Sequence, residues 1–501
     1  MKTGRSWADW IHPRLGDLVF IGAFLVVLAL GGRLLNVDGD LGRHLTLGEW
    51  ILNNGSVPTR DVFSHTMGGQ ALTPHEWLSE VIFALANRWA GLAGVVALCA
   101  LLIALTFTIV FQMAVRCSQA PFLSFAVVFL GMAASSLHWL ARPHLFTLLA
   151  CALWILGMER ARGGKAGHLW LMAVGMAVWA NLHGAFIAGF AIWGIYGAGM
   201  CWDRLFQHRP FPTVFLRFWI LLGLLSFGAS LVNPVGIHLW GTSLGYLQNR
   251  YLVGHTAEYL PPNFREVYTW PFLVMIGLSV LGFATRAGKR NTTHGLLTLA
   301  WTLMSLVSAR NIPIYAVVAT PVIAEALSGW KNMRRFPRLL QTLEERYLRM
   351  ENRLKGFVWP ALVIAVIFTS LSTPSGMNVF RQSARFSPEV FPVAAADWLQ
   401  VHPQHGRVFN YFPWGGYLLY RFWPQTPVFI DGQTDFYGEA LTREYESVIT
   451  VEDGWQDILE RYQVEWVILP VDGALGKALH ANSEWGTLYE DSTAIILRSN
   501  P

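Results

Sequence analysis

Two carboxylates separated by one glycine, Asp38 and Asp40, follow directly on the first long apolar run of the chain. Ionised carboxylates are costly inside a bilayer but stable at its aqueous face. There they can take a proton from a nucleophile or hold a cation. His44, four residues after Asp40, would share a helical face with it. Such a pair can bind a divalent cation, magnesium or manganese (Mg or Mn), or divide acid–base work; a simple hydrogen bond is the competing explanation. Asp38 also suits an N-cap for the helix read over LGRHLTLGEWILNN, with Gly55 as its stop. His75-Glu76 opens a further helix. Glu76 is a third catalytic candidate, or an acid favoured by the helix N-terminus.

More polar residues stand at the ends of later apolar runs. WLARPHLF supplies Arg142 and His144, WANLHGAF supplies Asn181 and His183, LVNPVGIHLW supplies Asn233, and SARNIPIY supplies Arg310. A guanidinium fork matches phosphate oxygens, although Arg at a span end also snorkels toward headgroups. His183 is equally suited to packing as a hydrogen-bonded core residue. Carboxylates, imidazoles and two guanidiniums walled by apolar helices suit a substrate with a lipid tail, a phosphate and a hydroxylated group. His44, Arg142, His144, His183, Asn233 and Arg310 are the substrate-binding candidates.

The elements that must position these groups follow from composition. The 501 residues are 53% hydrophobic and 14% charged, against about 25% charged in soluble domains. Apolar runs near 18–35, 92–114, 121–139, 145–158, 169–182, 185–201, 213–232, 270–285, 293–308, 312–328 and 357–372 predict a polytopic α-helical membrane protein with about 11 transmembrane helices. The basic N-terminus followed by an apolar run also fits a signal peptide, but without a small-residue cleavage site it reads as a retained helix. Lys and Arg recur in alternate loops, at Arg116, Arg160 to Lys165, Arg204 and Arg209, Arg286 to Arg290, and throughout 331–356. The positive-inside rule then places the N-terminus in the cytoplasm, as in a bacterial inner membrane. It puts the acidic loop 36–80 and every candidate above on the outer, periplasmic face. Segment 331–356 reads as a basic amphipathic helix on the cytoplasmic surface. The basic excess lies in membrane loops and excludes a nucleic-acid reading. The four cysteines, Cys99, Cys117, Cys151 and Cys201, form no disulfide or zinc pattern.

The transmembrane part spans 1–372, a polar linker 373–386, and a periplasmic α/β domain 387–501. In the last, RVFNYF, PVFIDGQ, VEWVILP and the pair WGTLYED and TAIILRS read as strands between helices. They predict a small, largely parallel sheet with an antiparallel edge. Asp431 and Gln433 follow a strand end, where open α/β sheets place ligands, and are substrate-binding candidates; turn chemistry is the alternative.

With VDGDLGRHLTLGEWILNNGSVPTRDVFSHT after the first span, then HEWLSE, many further spans and an outer C-terminal domain, the chain resembles the GT-C superfamily of membrane glycosyltransferases over roughly residues 15–330. It lacks the WWDYG signature of oligosaccharyltransferases and the adjacent Asp-Glu pair of protein O-mannosyltransferases. The resemblance implies transfer of a sugar from a polyprenyl-phosphate donor to a lipid, glycan or protein acceptor, with inversion. It implies a catalytic acid at Asp40 or Asp38, and donor phosphate facing Arg310 first and Arg142 second. Polar groups crowd one face while span centres are apolar, which favours an interfacial enzyme over a lipid-linked glycan translocase or an assembly subunit.

Overall fold

The computed structural model describes residues 8–285, 291–329, 338–354, 356–372 and 383–500. Apolar runs fold as helices because a helix satisfies its own backbone polar groups without water. In chain order the helices longer than two turns are α1 (Leu15–Ala29), α2 (Asp40–Asn54), α3 (Trp77–Ala90), α4 (Leu92–Ser118), α5 (Pro121–Ser135), α6 (His144–Arg162) and α7 (Leu169–Leu182). They continue with α8 (Ile187–Phe206), α9 (Thr213–Ser230), α10 (His238–Gln248), α11 (Trp270–Thr285), α12 (Thr292–Val307), α13 (Ile312–Leu327), α14 (Arg338–Arg353) and α15 (Val358–Ser372). Among the described residues, 6 helices are long and apolar enough to cross a membrane by length and composition, and α1, α7 and α15 are shorter apolar helices. Large apolar side chains such as Phe129, Trp170 and Leu224 point outward, where lipid rather than water would receive them.

α13 is the axis of the bundle, and every one of its residues except Glu325 is buried. It packs on α4, α5, α11 and α12, while α1 packs on α4 and α7 on α9. α14 is the part of the expected basic helix that is described; Lys331, Arg334, Arg335 and Lys355 lie outside the described residues, as do Arg286 to Arg290 and linker residues 373–382. Besides carrying charge, α14 caps two spans. Glu351 accepts the N–H groups of Leu15 (3.0 Å) and Gly16 (3.3 Å), and Glu344 those of Phe122 and Leu123 (both 3.2 Å). These are orphan donors at the starts of α1 and α5.

The first loop folds as two helices, α2 and α3. α2 ends at Gly55, whose φ of 64° is the left-handed stop expected from the sequence. Residues 41–48, about two turns, are buried on all sides because the helix is sandwiched. A Cβ on Gly48 would run into the Glu80 carbonyl of α3, and one on Gly42 into the Gly416 carbonyl of the C-terminal region.

That region contains α16 (Val393–Val401), α17 (Gly415–Phe422), α18 (Thr434–Ile449), α19 (Trp455–Arg461) and α20 (Ala474–His480) around a sheet of β1 (Arg407–Asn410), β2 (Val464–Pro470), β3 (Trp485–Glu490) and β4 (Ala494–Ser499). The strand order is β1-β2-β4-β3. Only β1 and β2 are parallel; β4 runs antiparallel to both its neighbours, so the sheet is not largely parallel as expected. Alternation along β2 and β4 gives each face a core. Trp466, Ile468 and Ile496 join the main core, whereas Val467, Leu469, Ile495 and Leu497 face a second core shared with α18, α19 and α20.

PVFIDGQ is not a strand of this sheet. The Asn410 amide holds it, accepting from Phe429 N–H (2.8 Å) and donating to the Ile430 carbonyl (2.9 Å). On its other side Val428 exchanges backbone bonds with Phe63 and His65 of the first loop, in a parallel bridge. Intrinsic strand preference is satisfied by the loop rather than by the sheet. The loop after it, Asp431 to Gln433, is thereby laid against the start of α2.

Candidate functional site

Asp38 and Asp40 sit at the start of α2. Asp38 Oδ1 accepts the Asp40 N–H at 3.0 Å in a turn just before the helix, but the N-cap is Gly39 rather than Asp38 as expected, and no side chain caps α2. The other Asp38 oxygen lies 3.7 Å from Arg142 Nε. Burial pushes the Asp38 carboxyl above its usual value, partly offset by Arg142. Asp40 takes Arg142 Nη2 directly. A Cβ on Gly432 would fall onto the Asp40 carboxylate, so the C-terminal loop closes over this residue. Two neighbouring carboxylates in unequal surroundings are the arrangement that separates acid from base.

Arg142 comes from the turn before α6 and Arg310 from the turn between α12 and α13, and Glu258 joins them. Its Oε2 accepts Arg142 Nη1 at 3.1 Å and its Oε1 accepts Arg310 Nη1 at 2.6 Å. The Tyr259 hydroxyl also accepts from Arg310, at 2.6 Å. Burial would raise the Glu258 carboxyl, but Arg310 and Arg142 outweigh it and hold it down to about 2. His138 Nε2 lies 3.3 Å from Glu258. The His144 ring lies 4.6 Å from the His138 ring, tilted by 47°, and its Nε2 meets the His138 carbonyl at 2.8 Å.

A second cluster lies beside the first. Glu76 is the residue before α3, yet its side chain caps nothing. Its carboxylate faces His183 Nε2 (3.4 Å), His75 Nε2 (3.8 Å) and His44 Nδ1 (3.8 Å). His44 Nδ1 is also 3.0 Å from Glu80. Burial lowers the His44 pKa, but the Glu80 hydrogen bond and Glu76 raise it above the ordinary value overall. Burial and then Arg310 hold His183 well below its usual value, so at neutral pH it is a neutral ring between Thr147 Oγ1 (2.9 Å) and Glu76.

His44, Glu76 and Glu80 can each offer a ligand atom within 4.8 Å of the others. His44 faces both carboxylates through Nδ1, and Glu80 Oε2 is buried with no hydrogen-bond partner. One imidazole and two carboxylates suit a divalent cation, so the residues fit one. The partner of His44 in this set is Glu80, not Asp40, because Asp40 turns to Arg142.

Asp431 and Gln433 face Arg43 of α2. Asp431 Oδ1 is 3.1 Å from Arg43 Nε, and Gln433 Oε1 takes Arg43 Nη2. Arg43 Nη1 reaches Glu80 at 3.5 Å, linking the C-terminal loop to the second cluster. Asn233 does not join the site. Its amide closes its own turn, through Ser230, Gly236 and Val235, because the chain reverses there after α9.

The residues of the site that are missing from the candidates drawn from sequence are Arg43, Glu80, His138 and Glu258. Glu80 had a usable signal, since it lies four residues after Glu76 on one helix. Arg43 and Glu258 find their partners only through tertiary packing, which no local pattern encodes.

No protein-family model and no curated protein matches the sequence. Solved structures do match in fold. The oligosaccharyltransferase of Archaeoglobus fulgidus, apo form, aligns with TM-score 0.59 and 12% identity over 91% of this chain and 70% of that one. AglB from the same organism, in complex with an inhibitory peptide and a dolichol-phosphate, aligns with TM-score 0.58 and 12% identity over 91% and 69%. ArnT from Cupriavidus metallidurans, bound to undecaprenyl phosphate, aligns with TM-score 0.52 and 14% identity over 96% and 97%. By its apolar helices and this fold, the chain is a membrane protein.

Proposed function

We propose that this chain, which has the fold of the GT-C glycosyltransferases, transfers a sugar from a polyprenyl-phosphate-linked donor to a lipid, glycan or protein acceptor. The supporting observation is the ion network that joins Asp40 to Arg142 and, through Glu258, to Arg310. It sets a proton acceptor beside two phosphate-binding groups. Two structures of the same fold carry dolichol-phosphate or undecaprenyl phosphate.

In this reading the acceptor's nucleophile attacks the anomeric carbon and gives its proton to Asp40. The bond from that carbon to the phosphate oxygen breaks, and the polyprenyl phosphate leaves with the electron pair. Arg142 and Arg310 stabilise the charge that builds on the phosphate. One displacement inverts the anomeric centre. Asp38, raised by burial, keeps the Asp40 backbone in place. We read the topology as about eleven spans with a cytoplasmic N-terminus and a periplasmic C-terminal region, which would put the site at the outer face of a bacterial inner membrane, with residues 431–433 as its roof. Asp431 and Gln433 act through Arg43 rather than on substrate. His44, Glu76 and Glu80 would hold a divalent cation, Mg or Mn. When bound, it would add Lewis-acid stabilisation of phosphate charge.

The test is Asp40→Asn beside wild type, with sugar release from polyprenyl-phosphate donors read by mass spectrometry of the lipid. Loss of turnover by about a hundredfold or more in a folded variant is expected. Equal turnover in both proteins removes Asp40 from the chemistry. No turnover in either would favour translocation or assembly of a lipid-linked glycan instead.

A further inference from the structure

We propose that the Glu258 carboxylate is a built-in stand-in for the donor's phosphate, holding Arg142 and Arg310 apart and charged until the phosphate group of a polyprenyl phosphate displaces it. The inference rests on reading these two arginines as the phosphate site.

Its geometry is that of an anion shared between two guanidiniums. One carboxylate oxygen goes to Arg142 and the other to Arg310, at 3.1 and 2.6 Å. The two non-bridging oxygens of a phosphodiester would divide in the same way. A phosphate entering beside an ionised Glu258 would set like charges against each other between the same donors, so the carboxylate must turn away.

The surroundings permit that exchange without the network collapsing. Arg142 keeps Asp40, and Arg310 keeps the Tyr259 hydroxyl. The Glu258 backbone is fixed to the Arg310 turn, since Ser308 Oγ donates to its carbonyl at 3.3 Å and Ala309 N–H to the Leu260 carbonyl at 2.9 Å. Displacement is therefore a side-chain rotation, not departure of the loop. In the turn that bears it, Ala257 is exposed and the Glu258 side chain is itself 14% exposed, so the carboxylate is not sealed on every side. A carboxylate that only cross-linked the arginines would give the opposite functional sign when removed.

The experiment is binding of undecaprenyl phosphate to the purified full-length protein in detergent, for wild type, Glu258→Gln and Arg310→Ala. Removing a competing charge-assisted contact should tighten binding by about tenfold in Glu258→Gln, while Arg310→Ala weakens it. Unchanged or weaker binding in Glu258→Gln, with Arg310→Ala still weakened, overturns the stand-in and leaves the phosphate site standing. No binding by wild type or by Glu258→Gln overturns both. A measurement on wild type alone guards against misfolding of the variants: carbodiimide modification of Glu258, mapped by mass spectrometry, should rise when undecaprenyl phosphate is added. Protection of Glu258 by the lipid would overturn the inference.

Discussion

The guanidinium of Arg43, in the first loop, meets the carboxylate of Asp431, in the C-terminal region, with Nε 3.1 Å from Oδ1 and side chains only 6% and 1% exposed. Breaking a buried pair by removing one partner costs about 3–5 kcal/mol, because the other charge is left without compensation. Arg43→Ala and Asp431→Ala should each lower Tm in detergent by several degrees. The double variant should lose less than the sum of the two. Strict additivity would mean that the pair does not hold the region to α2. On the proposal that Asp431 acts through Arg43 rather than on substrate, KM for the donor should stay near wild type in whatever fraction folds.

Much of this was legible in the chain, and the rest was not for physical reasons. Apolar runs gave the helices, and Gly55 and Glu76 marked ends of the loop helices, because those signals are local; the N-cap of α2 falls one residue after Asp38, at Gly39. Asp431 was readable as a polar residue after an apolar segment, but its partner Arg43 belongs to another part of the chain. PVFIDGQ has strand composition, yet Asn410 and the first loop take its backbone bonds. Asn233 looked available for substrate because its turn could not be seen from composition. Glu258 stood in a long loop with no pattern to set it apart; only the approach of two arginines gives it meaning.

Gly432 tests how the C-terminal loop meets Asp40. A Cβ there would fall on the Asp40 carboxylate, which is the movable end of a side chain. Gly432→Ala should therefore fold, with Tm within a few degrees of wild type, but push Asp40 off Arg142. Turnover should fall at least about tenfold, as small displacements of reacting groups do. Wild-type turnover in a folded Gly432→Ala protein would show that the loop does not position Asp40.

The low pKa of Glu258 gives a pH signature with a fixed sign. Its folded value, about 2, is depressed from 4.5. The stabilisation is thus complete above pH 4.5 and lost as pH falls through that value toward 2, at about 1.4 kcal/mol per unit. The Tm difference between wild type and Glu258→Gln should be largest near neutral pH and shrink below 4.5. A difference that stays constant down to pH 3 would rule out an ionised Glu258 between the two arginines. Reduced stability together with tighter phosphate binding in Glu258→Gln would be the mark of a site that trades stability for a displaceable ligand.

The cation site is best examined by content rather than activity. Protein stripped with chelator and then dialysed against Mg or Mn should hold about one ion per chain by elemental analysis. His44→Ala, Glu76→Gln and Glu80→Gln should each lose most of it, since each removes one of the converging donors. Asp40→Asn should retain the ion, because that carboxylate faces Arg142. Binding to the folded state alone would also raise Tm with ion concentration in wild type and not in Glu80→Gln. If wild type takes up no ion in excess of Glu80→Gln, the contacts of His44 Nδ1 with Glu76 and Glu80 are ion pairs of the core and hold no cation. Retention of the ion in all three variants but loss in Asp40→Asn would return the ligand set to Asp40 and the acidic turn that begins α2.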